Sequence, residues 1–173
     1  MNNLPIYALD FDGVICDSTV ETAMTGWKAA CAIWPDMSGP TPPHLIEAFR
    51  QVRPLLETGY EAILGMRLLA QGHSTGDIAA NYQNLIHQLL DEGHLNVAML
   101  KQRLGATRDA WIQQDLGEWI QKNPLYPGVA AKLKTLGEQQ TWYVVTTKQE
   151  RFVEQILSSN GIDLDNSRIF GLE

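Results

Sequence analysis

Two carboxylates lie two residues apart near the start of the chain, in the run from Leu9 to Val14. The apolar residues before them, Ile6 to Leu9, do not alternate with polar ones, which predicts a strand buried on both faces in a parallel sheet. Because such sheets bind ligands beyond the carboxyl ends of their strands, Asp10 and Asp12 lie where an α/β enzyme carries out its chemistry. Gly13 gives the backbone freedom for a sharp turn around a small anion. Carboxylates this close favour a cation between them, or a proton on one of them.

Length and charge narrow the classes of function. The chain has 173 residues and a formal net charge of -7, and its 13 Lys and Arg residues do not cluster. We therefore expect a small soluble ligand, and neither nucleic acid nor a membrane surface, as the partner. Met1 leads straight into the first strand and no membrane-length apolar run follows, which predicts a cytoplasmic protein without a signal peptide. Cys16 and Cys31 are too few for a disulfide scaffold and suit a reducing compartment.

A long helical stretch follows the first strand. Apolar residues recur at helical spacing from Trp27 to Ile120 and predict five amphipathic helices with no strand between them. The clearest of these helices runs from Ile78 to Leu90 and ends at Gly93. We expect these helices to form a unit of their own.

From Pro124 onward the pattern is that of an α/β domain. A turn at Tyr126-Pro127-Gly128 leads into a short helix that Gly137 closes. The apolar strand Trp142 to Val145 comes next and ends in Thr146 and Thr147, so hydroxyl groups stand at a strand end, as Asp10 does.

The last part of the chain predicts one more helix and one more strand. Thr147 and Glu150 have the spacing of a capping box, and Arg168 to Leu172 has the composition of a strand. We expect the helix to turn its apolar residues inward, namely Phe152, Val153, Ile156 and Leu157. The prediction is a parallel-sheet domain of residues 1–16 and 125–173, interrupted after its first strand by a helical insert of residues 17–124.

Three segments carry a resemblance to a known family. Asp10 to Val14 resembles the first motif of the haloacid dehalogenase-like superfamily, and Val144 to Lys148 resembles its second motif, a strand that ends in Ser or Thr. Tyr126 to Val129 resembles the segment that re-enters the core from a helical cap in the phosphoglycolate phosphatase-like branch. The resemblance implies a Rossmann-like parallel-sheet core with an all-helical cap inserted after the first strand.

The same resemblance implies a Mg²⁺-dependent phosphatase acting on a small phosphorylated metabolite. Asp10 would attack phosphorus and form an aspartyl-phosphate, and Asp12 would protonate the leaving oxygen and later activate water. The Asp10 carboxylate and the Asp12 backbone carbonyl would hold Mg²⁺. Thr146 would donate a hydrogen bond to a phosphoryl oxygen, and amides near Gly13 and after Thr147 would hold the same anion.

Two alternatives stay open. Retention of Asp12 favours phosphoester chemistry over halide removal or phosphonate cleavage, but a sugar-phosphate mutase carries the same pair. The third motif of the family, a lysine, and the fourth, an acidic loop, would follow the strand that ends at Leu172, and the sequence stops at Glu173. We therefore expect a partial core with one bare edge on its first strand, and the second alternative is a non-catalytic remnant that acts in binding or assembly.

Lys148 is interpreted as a solvated residue at a helix start, and not as a replacement for the missing lysine. The oligomeric state is open.

Overall fold

A computed structural model of the chain describes residues 5–172. It is 61% helical and contains a three-stranded parallel sheet, which confirms the predicted α/β class. The chain divides into two compact units. One unit combines the residues up to Ser18 with those from Ile120 onward, and the other is Thr19–Trp119.

The unit Thr19–Trp119 consists of helices joined by loops and, as predicted, contains no strand among its residues, all of which the structure describes. Its helices are α1 (Thr19–Cys31), α2 (Pro43–Val52), α3 (Glu61–Ala70), α4 (Thr75–Glu92), α5 (Val97–Gln114) and the first residues of α6 (Leu116–Gln121). The break between α5 and α6 was not predicted. It occurs because Asp115 is extended and its Oδ1 accepts the Glu118 amide at 2.8 Å, which caps the new helix.

The core of this unit forms where α1 packs against α3. Gly26 of α1 lies so close to α3 that an added Cβ would be 2.6 Å from the Ala62 carbonyl oxygen. The absence of a side chain therefore lets the two helices approach closely. The largest fully buried side chains around this contact are apolar: Phe49, Ile63, Leu64, Met66, Leu68, Ile78 and Leu100.

A buried carboxylate connects three helices of the same unit. Glu21 of α1 is fully buried, and Arg108 of α5 donates two hydrogen bonds to it, from Nε at 2.8 Å and from Nη2 at 2.9 Å. Trp119 of α6 donates to Glu21 at 3.2 Å, and Thr25 donates at 2.6 Å. Both carboxylate oxygens thus have donors, as a buried charge requires.

The second unit contains the sheet. Its strands are β1 (Tyr7–Leu9), β2 (Trp142–Gln149) and β3 (Ile169–Leu172), in the order β1-β2-β3 and all parallel. Its helices are α7 (Val129–Gln139) and α8 (Glu150–Ser159). As predicted, α8 buries its apolar stripe, which consists of Phe152, Val153, Ile156 and Leu157.

Three local predictions in this unit are wrong. Helix α7 does not end at Gly137 but continues to Gln139, and β2 does not end in Thr146 and Thr147 but continues to Gln149. The capping box is absent because Thr147 lies within β2 and no side chain caps α8. The Glu150 carboxylate instead accepts the amide of Gly171 in β3 at 3.0 Å.

The prediction that β1 is buried on both faces is also wrong. Ile6 is 69% exposed and Tyr7 is 39% exposed. Among the described strands β1 pairs only with β2, so its other edge is bare, as predicted. Val145 and Phe170 are also exposed, at 49% and 53%. Along β2, by contrast, Val144 is fully buried. One face of the sheet is therefore open and apolar.

Of the helices within residues 5–172, none combines the length and the apolar character needed to cross a bilayer.

The Glu21–Arg108 pair predicts a large effect of mutation on stability. Arg108→Met leaves the Glu21 carboxylate buried without its charged partner, so we expect the free energy of unfolding to fall by about 3–5 kcal/mol. Urea unfolding followed by far-ultraviolet circular dichroism measures this change. The control is Glu47→Gln, which removes an ion pair with Arg50 and should have little effect, because the two side chains are 75% and 43% exposed and solvent screens the pair. Equal losses in the two variants would contradict the assignment.

Candidate functional site

A tight turn after β1 carries the two aspartates. The Phe11 carbonyl accepts the amides of Ile15 and Cys16 at 2.9 and 3.0 Å, and the Gly13 amide donates to the Cys16 carbonyl at 2.9 Å. Gly13 has a φ of 81°, which other residues rarely adopt. Phe11 and Cys16, which belong to this turn, are fully buried.

The turn is fixed to the segment that precedes α7. The Tyr126 amide donates to the Ile15 carbonyl at 3.1 Å, and the Asp17 amide donates to the Pro124 carbonyl at 2.9 Å. The position of the aspartates is therefore set by backbone hydrogen bonds, in the paired strand β1 before the turn and at Ile15 and Asp17 after it, and does not depend on side-chain packing alone.

The two carboxylates have different surroundings. Asp10 is exposed, and its Oδ1 accepts the Phe11 amide at 2.7 Å, which orients the carboxylate. The Asp12 side chain is only 16% exposed, and its Oδ1 lies 3.1 Å from Nζ of Lys148. Asp12 therefore has a cationic partner from this chain, Lys148.

The interpretation of Lys148 as a solvated helix-start residue is wrong. Lys148 lies within β2, its side chain is 1% exposed, and its ammonium group is also 6.0 Å from the centre of the Phe11 ring. The sequence carried a usable signal for this position. The even positions of β2 include its buried side chains, namely Trp142, Val144 and Lys148. Side chains an even number of positions apart in a strand share one face, so the lysine lies on the same face as the two apolar residues. The hydroxyl residues Thr146 and Thr147 conceal this pattern, because their side chains resemble the polar end of a strand.

Thr146 stands beside this lysine. Its Oγ1 accepts the backbone amide of Lys148 at 3.2 Å, which leaves the hydroxyl proton to be donated elsewhere. The pairing of β2 with β3 shifts register between Val145 and Gln149, so the strand is irregular here. In the same region a Cβ on Gly171 would collide with the Lys148 carbonyl oxygen, so only glycine allows β3 to approach this closely.

The structure brings some of the predicted residues together. Leu9 pairs with Val144 in parallel strands, so Asp10 follows the end of β1 at a level next to Thr146, which lies within β2. The direct contact between the two motifs is the one from Asp12 to Lys148. Thr147 is exposed.

The expected amide donors are arranged differently from the prediction. The Gly13 amide donates its hydrogen bond to the Cys16 carbonyl within the same turn, so this donor is already used inside the protein. The donors at the start of α8 begin at Glu150, three residues beyond Thr147, because β2 continues to Gln149.

The oxygen donors of this loop are suited to Mg²⁺. Across the described part of the chain no group of three or more His, Cys, Asp or Glu side chains converges on one point. Mg²⁺ commonly takes only one or two carboxylates and completes its shell with water and substrate phosphate. The Asp10 carboxylate and the Asp12 carbonyl fit that requirement, and a metal ligand at this carbonyl does not compete with Lys148 for the Asp12 carboxylate.

Comparisons of the chain with protein-family models, with curated proteins and with solved structures found no match. The resemblance to the haloacid dehalogenase-like superfamily therefore depends on the three sequence segments alone.

The turn that holds the aspartates predicts a glycine requirement. Gly13→Ala places a Cβ in the left-handed region, and we expect it to lower the free energy of unfolding by roughly 1–2 kcal/mol. There is no neighbour within 4 Å of the added Cβ, so the cost is conformational. The matched control is Gly76→Ala in the first turn of α4, which lacks a positive φ and should be neutral or stabilising. Thermal unfolding of both variants measures the difference, and a neutral Gly13→Ala would contradict the argument.

Proposed function

We propose that the chain belongs to the haloacid dehalogenase-like superfamily and is a Mg²⁺-dependent phosphatase for a small phosphomonoester. The observation that carries the proposal is the contact between Asp12 and Lys148, because it joins the two resembling motifs at one edge of a parallel sheet. In this proposal the helical unit Thr19–Trp119 corresponds to the cap of the family.

The different surroundings of the two aspartates suit two different roles. Asp10 is exposed and oriented by the Phe11 amide, so its carboxylate is accessible as a nucleophile. Asp12 is held by Lys148 and still partly open, so it can reach a proton without turning freely in solvent. Thr146 has a hydroxyl proton to donate to a phosphoryl oxygen.

The proposed reaction has two displacements. An Asp10 oxygen attacks phosphorus and forms an aspartyl-phosphate as the bond from phosphorus to the leaving oxygen breaks. Asp12 enters this displacement protonated, gives its proton to the leaving oxygen and becomes a carboxylate. Water then attacks phosphorus, Asp12 takes its proton, and phosphate leaves as the Asp10 carboxylate is restored. Bound Mg²⁺ would offset the negative charge of the phosphoryl group.

Removing the proposed nucleophile is the direct test. We expect Asp10→Asn to lower kcat for p-nitrophenyl phosphate by roughly 10³-fold or more, since no other group replaces the attacking oxygen. Addition of EDTA should abolish wild-type turnover, and Mg²⁺ should restore it. Asp91→Asn changes an exposed carboxylate of α4 and is the control. Wild-type turnover in Asp10→Asn would refute the phosphatase. Formation of a phosphorylated isomer of a sugar phosphate, without free phosphate, would identify a mutase instead.

The open sheet face favours a second candidate function, in assembly. Ile6, Val145 and Phe170 are each about half exposed or more, and the outer edge of β1 is bare among the described strands. Unpaired edges and apolar faces of this kind associate with other chains. The second candidate is therefore a non-catalytic protein that associates with a second copy of itself through this sheet.

Light scattering after size-exclusion chromatography tests the second candidate. If the sheet mediates self-association, the mass of the wild type should rise with protein concentration, and Phe170→Lys should shift it toward the monomer because it places a charge on the apolar face. Leu116→Lys alters an exposed apolar residue of the helical unit and is the control. A concentration-independent monomer would exclude this candidate.

A further inference from the structure

The three charged groups of the candidate site differ in their depth. Asp10 is exposed, the Asp12 side chain is 16% exposed, and the Lys148 side chain is 1% exposed. A phosphoryl group arriving from solvent therefore meets Asp10 and Asp12 before it could meet the lysine. Lys148 contacts Asp12 from the buried side.

The contact has consequences for both of its members. A buried ammonium group is unfavourable unless an anion and hydrogen-bond acceptors compensate it, and Asp12 supplies both at 3.1 Å. In return, a charge-assisted donor at this distance restricts the rotation of the Asp12 carboxylate. An acid or base must be held in its working geometry for efficient proton transfer, so this restriction bears directly on catalysis.

The backbone around Lys148 is itself fixed. Its amide donates to the Thr146 hydroxyl, and its carbonyl lies against Gly171, where a side chain would not fit. The shift in register between β2 and β3 occurs at this point. Lys148 thus lies in an irregular part of β2 whose backbone is held by neighbouring groups. Strand irregularities of this kind are common next to active sites.

We infer that Lys148 is a positioning residue that acts through Asp12, an inference that rests on the proposed phosphatase function. It holds the Asp12 carboxylate in place for proton transfer in both displacements and does not itself contact the substrate. Loss of the lysine should consequently affect turnover and leave substrate binding largely unchanged.

A double-mutant cycle on the full chain tests this role. The variants are Lys148→Met, Asp12→Asn and the double variant, each measured for kcat and KM with p-nitrophenyl phosphate. We expect Lys148→Met to lower kcat about 10- to 100-fold, as removal of an orienting partner does at metal sites, with KM within about twofold. In the Asp12→Asn background the same change should cause no further loss of kcat, because the group on which the lysine acts is already gone.

Two further variants separate this role from a purely structural one. Lys148→Gln can still donate a hydrogen bond, so its kcat should lie between those of the wild type and Lys148→Met. If Lys148→Met does not fold, Lys148→Gln takes its place in the double-mutant cycle. Lys132→Met changes an exposed lysine of α7 and should match the wild type. Thermal unfolding confirms that each variant is folded before its kinetics are compared.

The outcomes distinguish this role from the function on which it rests. Losses that multiply in the double variant would overturn the inference, because they would mean that Lys148 acts on the substrate independently of Asp12. A kcat that Lys148→Met leaves unchanged, in a chain whose activity Asp10→Asn removes, would overturn this role alone. A wild-type chain that releases no phosphate would overturn the proposed function and this role together.

Discussion

The buried charge of Lys148 is the constraint on which the sheet unit depends. A lysine that is 1% exposed needs an anion beside it, and the turn after β1 supplies Asp12. To do so, β1 must pair in parallel with β2, and Gly13 must reverse the chain directly after the aspartate. The turn must also be bonded to the segment at Tyr126. The burial of Lys148 thus depends at once on the pairing of β1 with β2, on the turn at Gly13 and on the ion pair with Asp12.

The two units use a buried carboxylate in different ways. Glu21 is fully buried, and side-chain donors on three helices satisfy both of its oxygens, so its environment is complete and it serves packing. Asp12 has a charged partner on its inner side and remains partly open on the other. A carboxylate with all of its acceptor capacity used has little left for a ligand, whereas a partly open one can act on a substrate. The contrast supports a structural role for Glu21 and a chemical role for Asp12.

The sequence predicted features that depend on neighbouring residues and missed those that depend on distant ones. The periodicity of apolar residues predicts the strand β2 and the apolar stripe of α8, and a glycine after the aspartates predicts the turn at Gly13. The exposure of β1 depends on which elements cover the sheet, and a run of apolar residues does not contain that information. The burial of Lys148 depends on an aspartate 136 residues away, and the usual behaviour of lysine argued against it. The geometry of the candidate site was therefore the least predictable part of the chain.

The hydrogen bond between Asp17 and Pro124 has a consequence for the order of folding. Pairing β1 with β2 directly would close a very long loop, at a large cost in chain entropy. The helical unit has its own buried core, so it can become compact first and bring its two ends near each other. The hydrogen bond between Asp17 and Pro124 then joins the chain on either side of the helical unit. After that, only the short segments from β1 to Asp17 and from Pro124 to β2 have to be ordered for the two strands to pair. On this route the aspartate turn and its lysine are completed late, after the insert between them has folded.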